Sequence, residues 1–95
     1  MPPIVRVGDS CSGHGCFPPR ETTSGSGNVF INSKGVHRKG DSLAVHCCGL
    51  PCHGGTTAEG SPSIFVNSQS VARIGDPVDC GSALAKGSGN TFANS

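Results

Sequence analysis

The sequence predicts an all-β fold: a small pseudo-threefold cone of short β-hairpins, stapled by a metal at its apex and almost free of helix. Three observations predict it. Arg-x-Gly-Asp occurs three times, as Arg6-Val7-Gly8-Asp9, Arg38-Lys39-Gly40-Asp41 and Arg73-Ile74-Gly75-Asp76. Each copy is followed four or five residues later by a side chain that can ligate a metal, namely His14, His46 and Cys80, with His53 just beyond the second. No stretch shows a 3.6-residue apolar period, which leaves no basis for a helix.

The repeat is longer than the tetrapeptide, and its period sets the architecture. Ser24-Gly25-Ser26-Gly27-Asn28-Val29-Phe30-Ile31-Asn32-Ser33 precedes the second Arg-x-Gly-Asp. Glu59-Gly60-Ser61-Pro62-Ser63-Ile64-Phe65-Val66-Asn67-Ser68 precedes the third. A further copy, Lys86-Gly87-Ser88-Gly89-Asn90-Thr91-Phe92-Ala93-Asn94-Ser95, ends the chain, and its missing second half stands at the start as Pro3-Ile4-Val5-Arg6-Val7-Gly8-Asp9. One unit is therefore split between the termini. That implies a closed ring of three, with Asn94-Ser95 beside Pro2-Pro3.

Each unit reads as a hairpin. Val29-Phe30-Ile31 and Ile64-Phe65-Val66 are β-branched and aromatic, bounded by Gly, Ser, Pro and Asn. Asn32-Ser33-Lys34-Gly35 and Asn67-Ser68-Gln69-Ser70 carry turn residues. Val36-His37-Arg38 and Val71-Ala72-Arg73 follow as second strands, and Gly-Asp turns the chain again. Phe30, Phe65 and Phe92 share one repeat position and read as core. His37 aligns with Val5 and Ala72 within a strand, so it reads as an outward- or sideways-facing residue and not as a ligand. The constant spacing of Arg6 to Asp9, Arg38 to Asp41 and Arg73 to Asp76 favours repeated turn or inter-unit ion pairs over a binding patch.

Composition limits what can stabilise such a chain. Ninety-five residues with fifteen Gly, four Phe and neither Trp nor Tyr bury little apolar bulk, so a staple is expected. A formal net charge of +1 with scattered basic residues gives no reason to expect a nucleic-acid partner. The first twenty residues hold charges and glycines and no apolar run, so no signal peptide or membrane span is expected and the chain is expected to be made in the cytoplasm. In a reducing compartment, metal ligation is a better reading of six cysteines than a disulfide framework. Cys11 and Cys16 flank His14, Cys47 and Cys48 follow His46, and Cys52 precedes His53. Any of these five stands as an alternative thiolate to Cys80, and a disulfide-knotted loop cluster stands as the alternative to the metal.

With these residues in view, the chain resembles PAAR-repeat proteins, the spike tips of type VI secretion systems and contractile phage tails. The signature, roughly Pro-Ala-Ala-Arg-x-Gly-Asp, is matched by Pro3-Ile4-Val5-Arg6-Val7-Gly8-Asp9, Gly35-Val36-His37-Arg38-Lys39-Gly40-Asp41 and Ser70-Val71-Ala72-Arg73-Ile74-Gly75-Asp76. The literal Pro-Ala-Ala is degraded in each copy. The resemblance covers essentially the whole chain, so residues 1–95 are expected to form one such domain with no effector extension. The family pattern of three His and one Cys falls on His14, His46, His53 and Cys80. Three imidazoles and a thiolate suit one structural, tetrahedral Zn²⁺ per monomer, with iron as the other candidate. Four protein ligands leave no open position for water activation.

What the resemblance implies is a membrane-piercing tip that caps and sharpens a trimeric β-helical spike, one tip per trimer. It would sit at the distal end of a phage tail baseplate spike, or be secreted at the tip of a type VI apparatus, and meet the target cell envelope during injection. The free chain would be a monomer. An adaptor that loads separate effector or toxin proteins is the alternative role, and a small metal-dependent or Cys-His enzyme the remote one. The enzyme reading lacks a third partner residue and a pocket-sized core.

Overall fold

The computed structural model describes residues 2–49 and 51–93. Asn94 and Ser95, which the split repeat sets beside Pro2-Pro3, lie outside the described residues. Among the described residues the elements are six strands: β1 (Phe30–Ile31), β2 (Lys34–Gly35), β3 (Ser42–Cys47), β4 (Cys52–Thr56), β5 (Phe65–Val66) and β6 (Gln69–Ser70). They pair as three antiparallel hairpins, β1-β2, β3-β4 and β5-β6, and there is no helix among the described residues. The body is elongated, 37 × 24 × 23 Å.

β1-β2 and β5-β6 are equivalent and tightly turned. Asn32 and Ser33 have φ of 54° and 69°, and Asn67 and Ser68 have 54° and 66°. Two consecutive left-handed residues make the primed turn whose twist matches that of flanking strands. The turn is thus two residues long, and Lys34–Gly35 and Gln69–Ser70, expected within it, already belong to the return strands.

Beyond the turn, each chain segment changes partner. Val36 pairs with Arg6, Val71 with Arg38, and Ile4 with Arg73, each in a neighbouring unit. At the next residue the backbones close a ring. The Val5 amide donates to the Ala72 carbonyl, the Ala72 amide to the His37 carbonyl, and the His37 amide to the Val5 carbonyl, each at 3.0 Å. All three residues are fully buried. This triangle marks the pseudo-threefold axis. The split unit takes part fully, since the Ile4 amide donates to the Thr91 carbonyl and the Ala93 amide to the Pro2 carbonyl.

The Arg-x-Gly-Asp turns form the next layer. Gly8, Gly40 and Gly75 have φ of 96°, 90° and 96°, a region that side chains oppose, so glycine is required there. Their amides donate to the carbonyls of Thr22, Thr57 and Leu84. Within each turn the Arg grips the Asp carboxylate, with shortest contacts of 2.8 Å in all three copies. These are the turn ion pairs that the fixed spacing favoured. Arg6 and Arg38 also reach the hairpin turns of adjoining units, donating to the side-chain oxygens of Asn32 and Asn67. These two clamps therefore each join a Gly-Asp turn to a hairpin.

Two expectations need correction. Phe30, Phe65 and Phe92 are not core: they are 58%, 57% and 44% exposed. The strands of Phe30 and Phe65 are only two residues long, so these side chains sit beside the hairpin turns and are left exposed, while Phe92 lies on an isolated bridge to Pro3. Their neighbours Ile31 and Val66 pack inward against the buried cluster of Ile4, Val36, Val71 and Ala93. His37 does not face outward either; it is wholly buried. Ring closure puts its position at the axis, where the equivalent residues are the small apolar Val5 and Ala72. Its ring nitrogens meet the Ser24 carbonyl at 2.8 Å and the Thr57 hydroxyl at 2.7 Å. The sequence pattern also concealed β3-β4, the longest hairpin, within what reads as loop.

Candidate metal centre

His14, His46, His53 and Cys80 come together, with one potential ligand atom from each within 4.8 Å of the others. They arrive on three different segments. His14 lies in a tight reversal, where its amide and carbonyl bond those of Phe17. His46 and His53 stand directly opposite each other in the β3-β4 ladder. Cys80 sits in the turn after the third Gly-Asp, beside Gly81 with φ 108°.

The imidazoles point their Nε2 atoms at one another. His53 Nε2 is 3.1 Å from that of His14 and 2.6 Å from that of His46. Three unprotonated nitrogens would repel at that range, so the cluster needs a cation or proton among them. The setting of His46 fits a metal ligand. Its Nδ1 lies 2.7 Å from the Pro18 carbonyl, which can only accept. Nδ1 therefore carries a proton, which leaves Nε2 as the nitrogen that a metal could take, the usual arrangement of a metal-bound histidine. Burial, reinforced by repulsion from His46 and His14, holds the His53 imidazole below its ordinary range. Three such nitrogens and a sulfur fit a closed four-coordinate zinc set, and would serve ferrous iron also.

The five alternative thiolates are placed elsewhere. Cys11 is buried in the core with Leu43, Val78 and Leu84. Cys16 is disulfide-bonded to Cys48, and Cys47 to Cys52. Metal and disulfide readings, treated as rivals in the sequence, thus occupy the same apex side by side. Cys16–Cys48 joins the His14 reversal to the end of β3, and Cys47–Cys52 closes the ladder next to His46 and His53.

Two residues at this centre escaped sequence reasoning. Phe17 stacks on His14 and His53, with ring centroids 4.8 Å and 4.3 Å away, and lies tilted against His46 at 4.9 Å. Arg20 is buried and donates to the Cys80 sulfur at 2.9 Å. A signal was available: these are the one Phe and the one Arg that fall outside the repeat phase, and both lie in Phe17-Pro18-Pro19-Arg20.

A triplicated β-ring, three Arg-x-Gly-Asp turns and a His₃Cys cluster define a pseudo-threefold β domain with a candidate metal site. The chain belongs to the PAAR-motif family, whose model matches residues 13–86. The motif marks spike-tip proteins of contractile injection systems. No curated protein matches the chain significantly. No helix among the described residues is long and apolar enough to cross a membrane.

Proposed function

We propose that this protein, as a single domain over residues 1–95, is a non-enzymatic cap for one trimeric β-helical spike. Its hairpin end would seat on the trimer, and its metal-bearing end would form the point that meets a target envelope. The observation that carries this reading is the exposure of Phe30, Phe65 and Phe92 at one repeat position of a pseudo-threefold chain. Exposed aromatics are costly in water and are favoured at the centres of interfaces. Three equivalent copies around an axis match a threefold partner, and one chain supplies all three. The ends of a spike trimer present unpaired strand edges of their own.

In this reading His14, His46, His53 and Cys80 hold one metal, most simply zinc, in a purely structural role. The ion ties together three segments with little hydrophobic support, so its binding free energy becomes folding free energy of the point. Stiffness follows from the same design, because the ring, the Arg-Asp clamps and the metal each bridge different units.

The test is native mass measurement of the tip mixed with its spike trimer. One tip per trimer is expected, and Phe30→Asp with Phe65→Asp should abolish the complex while metal content stays unchanged. Three tips per trimer would contradict the cap.

A further inference from the structure

We propose that Arg20 is the positioning residue of the metal centre: it aims the Cys80 sulfur and the His53 segment at the ion and tempers the sulfur's donation to it. The proposal rests on the metal reading given above. Arg20 is 5% exposed. Its Nη1 donates to the carbonyl of Ala44 at 2.8 Å and to that of His53 at 3.2 Å, while Nη2 donates to Cys80 Sγ at 2.9 Å. One guanidinium thereby reaches three segments: its own, which carries His14, the β3-β4 hairpin, which carries His46 and His53, and the turn with Cys80. A planar fork can hold acceptors in fixed relative positions, which a single ammonium cannot.

A second feature was shaped around this contact. A Cβ at Gly55 would stand 2.5 Å from Arg20 Nη2, with Asp79 Oδ1 at 3.0 Å. Gly55 lies on β4 two residues after His53. Any side chain at this position would push the guanidinium away from where it now meets the sulfur. The chemical consequence follows from charge. A hydrogen bond from a fixed cation draws electron density from a metal-bound thiolate, so the bond to the metal becomes less covalent and its charge-transfer transition moves to higher energy.

The experiment loads the full chain with cobalt(II) and follows the thiolate-to-cobalt band during titration. The wild-type chain is expected to bind one cobalt with that band present. Arg20→Gln should bind cobalt about 10- to 100-fold more weakly, the usual effect of losing such an outer partner, and its band should move to lower energy. Gly55→Ala keeps the guanidinium but displaces it, and should shift affinity and band in the same direction. Arg20→Lys should fall between wild type and Arg20→Gln.

Cobalt affinity within twofold of wild type and an unmoved band in Arg20→Gln, whatever its melting temperature, would reduce Arg20 to a packing residue and overturn the proposal. If Arg20→Gln does not fold, Gly55→Ala decides alone by the same two readouts. A wild-type chain that binds no cobalt would overturn the metal reading itself and this role with it.

Discussion

In the axial ring the three units contribute the same backbone atoms in the same order, while at the apex they contribute one, two and one candidate ligands. The ring is held by amide-to-carbonyl bonds that are indifferent to side chains, so Val5, His37 and Ala72 serve equally. At the apex the candidate ligands are not equivalent, and three identical loops could offer a single metal only three of them, which would leave a fourth position open. Repetition therefore ends at the residues that could complete a closed coordination shell. The second unit departs furthest, inserting β3-β4 so that it can offer two histidines across a ladder. The general lesson is that pseudo-symmetry is kept where the backbone carries the load and given up where a site has its own stoichiometry.

The largest way to break the apex without the ring is to remove the metal. Purified chain is expected to hold about one zinc or iron by elemental analysis. Structural zinc in small domains contributes about 10 kcal/mol or more, which rivals the whole stability of a domain this size. His14→Ala or Cys80→Ala should lose the metal and melt the apex. In hydrogen exchange, amides of β3 and β4 should then lose protection while those of Val5, His37 and Ala72 retain it. Uniform loss at both ends would show that ring and apex are one cooperative unit.

The next effect comes from the disulfides, which act only at the apex. Cys16–Cys48 spans 32 residues of sequence and Cys47–Cys52 spans 5. Loop-closure entropy gives about 3–4 kcal/mol for the first and about 2 kcal/mol for the second. Cys16→Ser should lower the melting temperature by about 15 °C, and Cys47→Ser by less. Equal losses would mean that strain or metal loss, and not chain entropy, governs the apex.

His37 tests the opposite end of the comparison. His37→Ala places at the axis the residue that the third unit already has there, so the backbone ring should survive and metal content should not change. It leaves the Ser24 carbonyl and Thr57 hydroxyl without their partner and a cavity behind, a loss of about 2–4 kcal/mol. The pH dependence has a definite sign. Burial holds the imidazole below its ordinary range, opposed by the hydrogen bond to the Ser24 carbonyl. The unfolded chain therefore binds this proton more readily, so its contribution is fully present above about pH 6.5 and is lost as pH falls below that value. In His37→Ala the acid slope between pH 7 and 5 should be shallower by up to one proton, measured in metal-saturated protein so that the apex histidines stay engaged. An unchanged slope would place the acid sensitivity elsewhere.

How much of this was legible in the sequence follows the same division. Arg-x-Gly-Asp exposes the turns because only Gly tolerates φ near 90° there and only Arg with Asp closes the clamp. The clustering of the candidate ligands was legible because His14, His46 and Cys80 keep phase with those turns. The environment of the phenylalanines was not, because an exposed aromatic on a two-residue strand has the same local pattern as a buried one. The burial of His37 depends on a ring closed among residues more than thirty apart in sequence, and no local window contains it. β3-β4 was hidden because Cys, His and Gly carry almost no strand preference, and its pairing is fixed by His46 opposite His53 and Cys47 opposite Cys52.

The smallest effect has the opposite sign and belongs to the hairpin end. Ser33 and Ser68 hold φ of 69° and 66° at the second position of their turns. A left-handed conformation costs a residue with a Cβ roughly 1 kcal/mol relative to glycine, and Asn-Gly is the favoured pair for this turn. Glycine is also freer in the unfolded chain, which offsets part of that gain. Ser33→Gly and Ser68→Gly should each stabilise the protein by about 0.5 kcal/mol, and because the two turns lie in separate units the gains should add. Thermal unfolding of the single and double variants measures this. Additive gains would confirm that the hairpins respond as independent repeats, whereas a double variant no more stable than either single one would show that they are coupled through the Asn28–Asn67 and Asn32–Asn90 side-chain bonds that link neighbouring units.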